Sequence, residues 1–150
     1  MNTPNNKRYQ DIAESINVAF GSLIQDKELR NITVTDICEL AGIERSTFYA
    51  HYKDVATLAN AYSAQIEKQI SELPHKEDDF SWIFDYIKEH PDLFKIYFKL
   101  GISKTTGDYK KIFFRTGAYS VVKMWFDNGC NETPEQMGAI IKREYEKKYK

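Results

Sequence analysis

The stretch from Ile32 to Lys53, ITVTDICELAGIERSTFYAHYK, constrains this chain more than any other part of it. Thr33 stands where a hydroxyl can cap a helix, and Asp36, three residues on, can reach back as its capping-box partner. Ile37, Leu40 and Ala41 recur at three- and four-residue spacing and are expected on one buried face of a short helix. Gly42 follows where that helix must stop, because glycine takes the left-handed turn conformation without steric cost. A second short helix is expected from about Arg45, with Phe48 and Tyr52 four apart and placed for packing. Two short helices around a glycine-bearing turn form the pattern of a helix-turn-helix.

In such a unit the second helix enters the major groove of DNA, led by its N-terminal residues. The positions expected to face outward there are Arg45, Ser46, Thr47, Tyr49 and His51. An arginine can hold a guanine edge by two bonds, serine and threonine can bond bases or phosphates, and tyrosine and histidine suit phosphate oxygens. Taken by itself, the helix-glycine-helix pattern favours a solvated helical hairpin in an all-helical protein, because short helical hairpins are common.

The longer pattern T-V-T-D-I-x-x-x-A-G-I-x-x-S-T-F-Y-x-H-Y-K-D is more specific. It resembles the DNA-binding signature of TetR-type transcriptional regulators, nearly continuously from Ile32 to Leu58. The resemblance implies that Thr35 touches phosphate, that Arg45, Ser46, Thr47, Tyr49 and Ala50 face the groove, and that His51 faces the DNA backbone. It also implies phosphate contacts from Lys7 and Arg8, just ahead of the first helix. Val55 stands where the family commonly has lysine, and Lys53 is close enough to take that contact. Ala50 is smaller than usual for the family and offers little to a base, and Cys38 replaces a usual alanine. The fold implied is all-α, with a DNA-binding head at residues 1–54 and a helical dimerisation body at 55–150.

Charge runs against a general nucleic-acid binder. Residues 1–53 hold six Lys and Arg against seven Asp and Glu, a net of -1. A DNA footprint must then be local, built from Lys7, Arg8, Arg45 and Lys53 with help from helix N-termini. Glu44, beside the outward positions, would repel phosphate and favour selectivity over general affinity.

With 150 residues, 42% of them hydrophobic and 14% aromatic, the chain can bury a substantial core, as one domain or two sharing it. No apolar run approaches the roughly 20 residues that cross a bilayer, and no signal peptide is expected. Cys38 and Cys130 lie far apart, which points to a reducing cytoplasm and no disulfide framework. The three histidines have no metal-ligand spacing with them, and no cofactor is expected. No G-x-S-x-G, P-loop or H-E-x-x-H stands in the chain, so an enzyme is the least expected class.

Residues 1–6 read as a disordered arm. From Tyr9 the stripe Ile12, Ala13, Ile16, Ala19, Phe20, Leu23 and Ile24 predicts a helix with caps and acids at its start, and 25–31 a polar linker. Asp54 is the expected N-cap of a helix from Val55 to about Glu72, ended by Pro74, with a solvated hinge at 75–79. Further helices are predicted over 80–89, from Asp92 to Leu100 with Pro91 starting it and Gly101 behind it, and over 109–128 with Gly129 behind it. A polar loop is expected over 102–108. The 109–128 helix carries two apolar stripes, one through Phe113, Gly117, Val121 and Met124 and one through Phe114, Ala118, Val122 and Trp125. A helix apolar on more than one side must be buried on more than one side. Thr133, Pro134 and Gln136 supply the cap, first-turn proline and capping-box partner of a last helix.

The stretch through Gly117, Val121, Trp125, Gly129, Cys130, Thr133, Pro134, Glu135 and Met137 resembles the C-terminal part of a subgroup of small TetR-type regulators. There the last two long helices pair with those of a second subunit, which implies a homodimer seam of Val121, Val122, Trp125, Ile140 and Ile141. Phe84, Phe94, Tyr97, Phe98, Tyr119 and Trp125 are expected chiefly to fill the core. The alternative is that they line a pocket for a small apolar or aromatic ligand. The function implied is a cytoplasmic homodimeric repressor on a palindromic double-stranded operator, released by a small ligand, with no membrane association. The rival is a TetR-like coregulator that binds protein and has lost DNA binding.

Overall fold

The structure is a computed structural model, described here for residues 6–73, 80–101 and 109–147 and, inside the helices, without the side chains of 109–115 and 145–147. Every regular element among the described residues is helical. The first helix, α1 (Lys7–Asp26), is capped by Asn6, whose side chain accepts from the Arg8 N–H. It starts two residues before the expected Tyr9 and has no acid in its first turn. The expected linker is largely structured: α1 takes in Gln25 and Asp26, and a 3₁₀ turn occupies Leu29–Asn31, with Leu29 packed on the core.

Two short helices follow, α2 (Val34–Ala41) and α3 (Arg45–His51). Ile37 and Cys38 are buried, but Leu40 is 55% exposed, against expectation. At about 100° per residue, Val34, Ile37, Cys38 and Ala41 define the inward arc, and Leu40 falls about 110° from its centre. The next helix, α4 (Val55–Ser71), begins on Asp54, whose carboxylate accepts from the Thr57 N–H and hydroxyl at 2.7 Å each. Leu58, Ala59 and Ile66 are buried along it.

The remaining helices are α5 (Ser81–Glu89), α6 (Pro91–Leu100), α7 (Tyr109–Asp127) and α8 (Pro134–Lys147). Pro91 opens α6 and Gly101 closes it at φ +74°. The Thr133–Gln136 box opens α8 as expected, with Thr133 N–H donating to Gln136 Oε1 at 2.8 Å and Gln136 N–H to Thr133 Oγ1 at 3.3 Å. Pro74, the hinge at 75–79 and the loop at 102–108 lie outside the described residues.

One continuous core runs from Ile16, Phe20 and Ile24 of α1 through Ile37, Phe48 and Leu58 to Phe84, Ile87, Phe94, Trp125 and Met137. It crosses residue 54 without interruption. The α6 helix is tied to α1 and α4: Lys99 Nζ donates to the Ile24 and Gln25 carbonyls at the end of α1, at 3.0 and 2.9 Å. At its C-terminal end, the buried Ser63 of α4 donates to the Gly101 carbonyl at 2.8 Å.

Candidate nucleic-acid interface

The α2–α3 unit is built by local chemistry at each end. The Thr33 hydroxyl accepts from the Asp36 N–H at 3.1 Å, and Asp36 Oδ2 accepts the Thr33 N–H at 2.8 Å and its hydroxyl at 2.7 Å. Lys27 adds an ion pair to Asp36 Oδ1 at 2.9 Å. Lys27 and the Thr33 donors together hold the Asp36 pKa down at about 2. Gly42 takes φ +66°, and the Ile43 N–H returns to the Cys38 carbonyl, so α2 ends and α3 begins within three residues. The left-handed conformation here is what a side chain would oppose.

Phe48, fully buried, sets which side of α3 faces the core. Arg45, Ser46, Tyr49 and Ala50 are exposed and Thr47 is half-buried. Arg45 reaches two neighbours: Nη1 donates to Thr35 Oγ1 at 3.5 Å and Nη2 to the Tyr49 hydroxyl at 3.4 Å. Three residues with separate expected roles are thereby brought into one cluster.

His51 does not face outward. Its ring stacks on Tyr9 of α1, with centroids 3.8 Å apart and 25° between planes. Its Nε2 is buried with no hydrogen-bond partner among the described residues, and burial lowers its pKa. The reason is legible in retrospect, since His51 lies three residues from Phe48 and shares its inward side. The Tyr52 hydroxyl donates to Asn17 Oδ1 at 3.4 Å and fastens the end of α3 to α1 a second time. The stack joins the start of α1, which carries exposed Lys7 and Arg8, to the end of α3 just ahead of exposed Lys53.

The expected seam residues divide. Trp125 is 2% exposed inside its own chain, edge-on to Phe84 at 5.0 Å, with its indole N–H donating to the Glu132 carbonyl at 3.1 Å. It is a core residue of its own chain, as expected beside the other aromatics, and not part of a free face. Val122 and Ile141 line a partly open apolar cavity, Val121 and Ile140 are half-buried, and Met124 is 60% exposed. That cavity, of about 200 Å³, brings together all five of Phe84, Phe94, Tyr97, Phe98 and Tyr119. The two phenols are already committed, Tyr97 donating to Glu67 at 3.3 Å and Tyr119 to the Phe98 carbonyl at 3.1 Å.

A second recess of about 520 Å³ lies along α1 and α4 between Gln10, Asn17, Gln65 and Gln69. No motif marks it, because it mixes ordinary polar and apolar positions of α1, α4 and α6 that lie far apart in the sequence. Among the described residues no group of three His, Cys, Asp or Glu stands together as a metal site, and no helix is long and apolar enough to cross a membrane. Compared with known protein families and with curated proteins, the chain matches none.

Proposed function

We propose that this chain is a homodimeric, sequence-specific DNA-binding transcriptional regulator whose reading element is α3. The observation that carries the reading is the outward side of α3. Arg45, Ser46 and Tyr49 stand exposed on a helix that Phe48, Tyr52 and His51 lock to α1 and α2 from behind. Exposed donors on a braced helix after a tight glycine turn suit major-groove recognition. The resemblance to TetR-type regulators supports a two-fold operator and repression. The half-buried Val121 and Ile140 with exposed Met124 are the side chains proposed for the subunit contact. The apolar cavity among the body aromatics is the place proposed for a small uncharged ligand.

The test is a gel shift on duplex DNA from upstream of the chain's own gene, with the parent and Arg45→Ala. If Arg45 reads a base pair, its loss should cost about 1–3 kcal/mol of binding and relax preference at that pair. An Arg45→Ala protein that binds as tightly and as selectively as the parent overturns the assignment.

A second reading has its own support. The net charge of -1 over residues 1–53 and Val55 in place of a lysine suit a protein-binding coregulator, and Leu40, 55% exposed on α2, offers it an apolar side chain. The same gel shift separates the two, since a coregulator leaves every duplex unshifted.

A further inference from the structure

The contacts of Arg45 assign Tyr49 a task different from a lone phosphate contact. An arginine on the first turn of an exposed helix samples many rotamers, and each must be given up when it engages a base. Here the guanidinium reaches the Thr35 hydroxyl on α2 at 3.5 Å and the Tyr49 hydroxyl one turn along α3 at 3.4 Å. The spacing of four residues places Tyr49 directly beside Arg45 on the helix surface. Tyr49 is itself a stiff post, with only two side-chain torsions, and its ring packs edge-on against the fully buried Phe48 at 5.6 Å. Order therefore passes from the core through Phe48 and Tyr49 to the Arg45 guanidinium.

The bonding inventory fits this. A guanidinium has five N–H donors, and two are used here, one from each Nη. One hydrogen on each Nη and the Nε hydrogen stay available for a two-pronged contact with a base edge. The Tyr49 oxygen accepts from Arg45, so its own hydrogen can still be donated to a DNA phosphate.

We infer that Tyr49 and Thr35 are positioning residues that aim Arg45, so that selectivity at the base pair Arg45 reads belongs to the three together. This role rests on the DNA-binding reading above. It differs from an independent phosphate contact, which would strengthen binding to every sequence alike.

The experiment compares the parent, Tyr49→Phe, Arg45→Ala and the double variant on a randomised duplex library. Guanidinium ¹⁵N resonances of Arg45 are recorded in the DNA-free parent and in Tyr49→Phe. Tyr49→Phe should lower preference at the same base pair that Arg45→Ala affects, on the order of three- to tenfold, as for residues in direct contact. It should add nothing to Arg45→Ala, and it should speed rotation of the Arg45 guanidinium in the free protein. Thr35→Val should act in the same direction. Equal weakening of all sequences by Tyr49→Phe, both in the parent and on top of Arg45→Ala, overturns the positioning role while leaving DNA binding intact. If the parent selects no sequence, the DNA reading itself fails and the resonances decide. Rotation equally fast with and without the Tyr49 hydroxyl then rejects the positioning role too.

Discussion

Asp36 shows how much of the candidate site hangs on one side chain. Its two oxygens receive the Thr33 N–H and hydroxyl and the Lys27 ammonium, joining the start of α2 to the segment after α1. These donors favour the carboxylate, so the folded pKa of about 2 lies below the ordinary value of 3.8. A depressed acid contributes stability above the unfolded pKa and loses it as pH falls through the folded one. The contribution of Asp36 should thus be complete above about pH 4 and fade between there and pH 2. Urea unfolding midpoints across that range should fall more steeply for the parent than for Asp36→Asn, which cannot titrate. Parallel curves would show that the carboxylate is not held in this way in solution.

At the level of helices, the contact between α1 and α4 turns on Gly21. A methyl group there would lie 2.6 Å from the Tyr62 hydroxyl oxygen, and the Tyr62 ring is held edge-on against buried Phe20 at 5.4 Å. Alanine gains about 1 kcal/mol over glycine within a helix. Overpacking opposes it by about 1–3 kcal/mol. Gly21→Ala should therefore destabilise the parent, yet stabilise a Tyr62→Phe protein, where the obstructing oxygen is gone. Thermal unfolding of the four proteins reads the sign directly, and the same sign in both backgrounds would exclude the clash. The helix ends are legible in the sequence because caps act over three or four residues: Thr33 with Asp36, Gly42, Asp54, and Thr133 with Gln136. The Gly21–Tyr62 contact, the Tyr9–His51 stack, the Lys99 clasp on α1 and the burial of Trp125 against Phe84 are not. Periodicity tells which side of a helix is apolar, but not which distant residue covers it. That is why His51, expected to face outward, lies within the packing, and why Trp125, expected both in the core and in a subunit seam, keeps only the first place.

For the whole molecule the deciding quantity is charge. The chain carries 21 Lys and Arg against 22 Asp and Glu, so no long-range field draws it to DNA. On the proposed function, binding must come from a few cations near the groove. Each neutralised phosphate releases counterions, so log affinity falls with log salt at a slope of about -0.9 per contact on duplex DNA. Lys7, Arg8, Arg45 and Lys53 are all exposed, and a dimer would present two copies of each. Arg45 is assigned to a base, and Glu44 at the start of α3 opposes phosphate approach. A slope on the order of -4 to -6 is therefore expected on the operator, with weak binding to scrambled duplex. Lys53→Ala should make the slope shallower by about one unit per subunit engaged, and should weaken all sequences alike. Affinities measured across a salt series on both duplexes test this. No preference for any duplex together with no salt dependence would remove DNA from the partners of α3 and leave the protein-binding reading, with Leu40 at its centre.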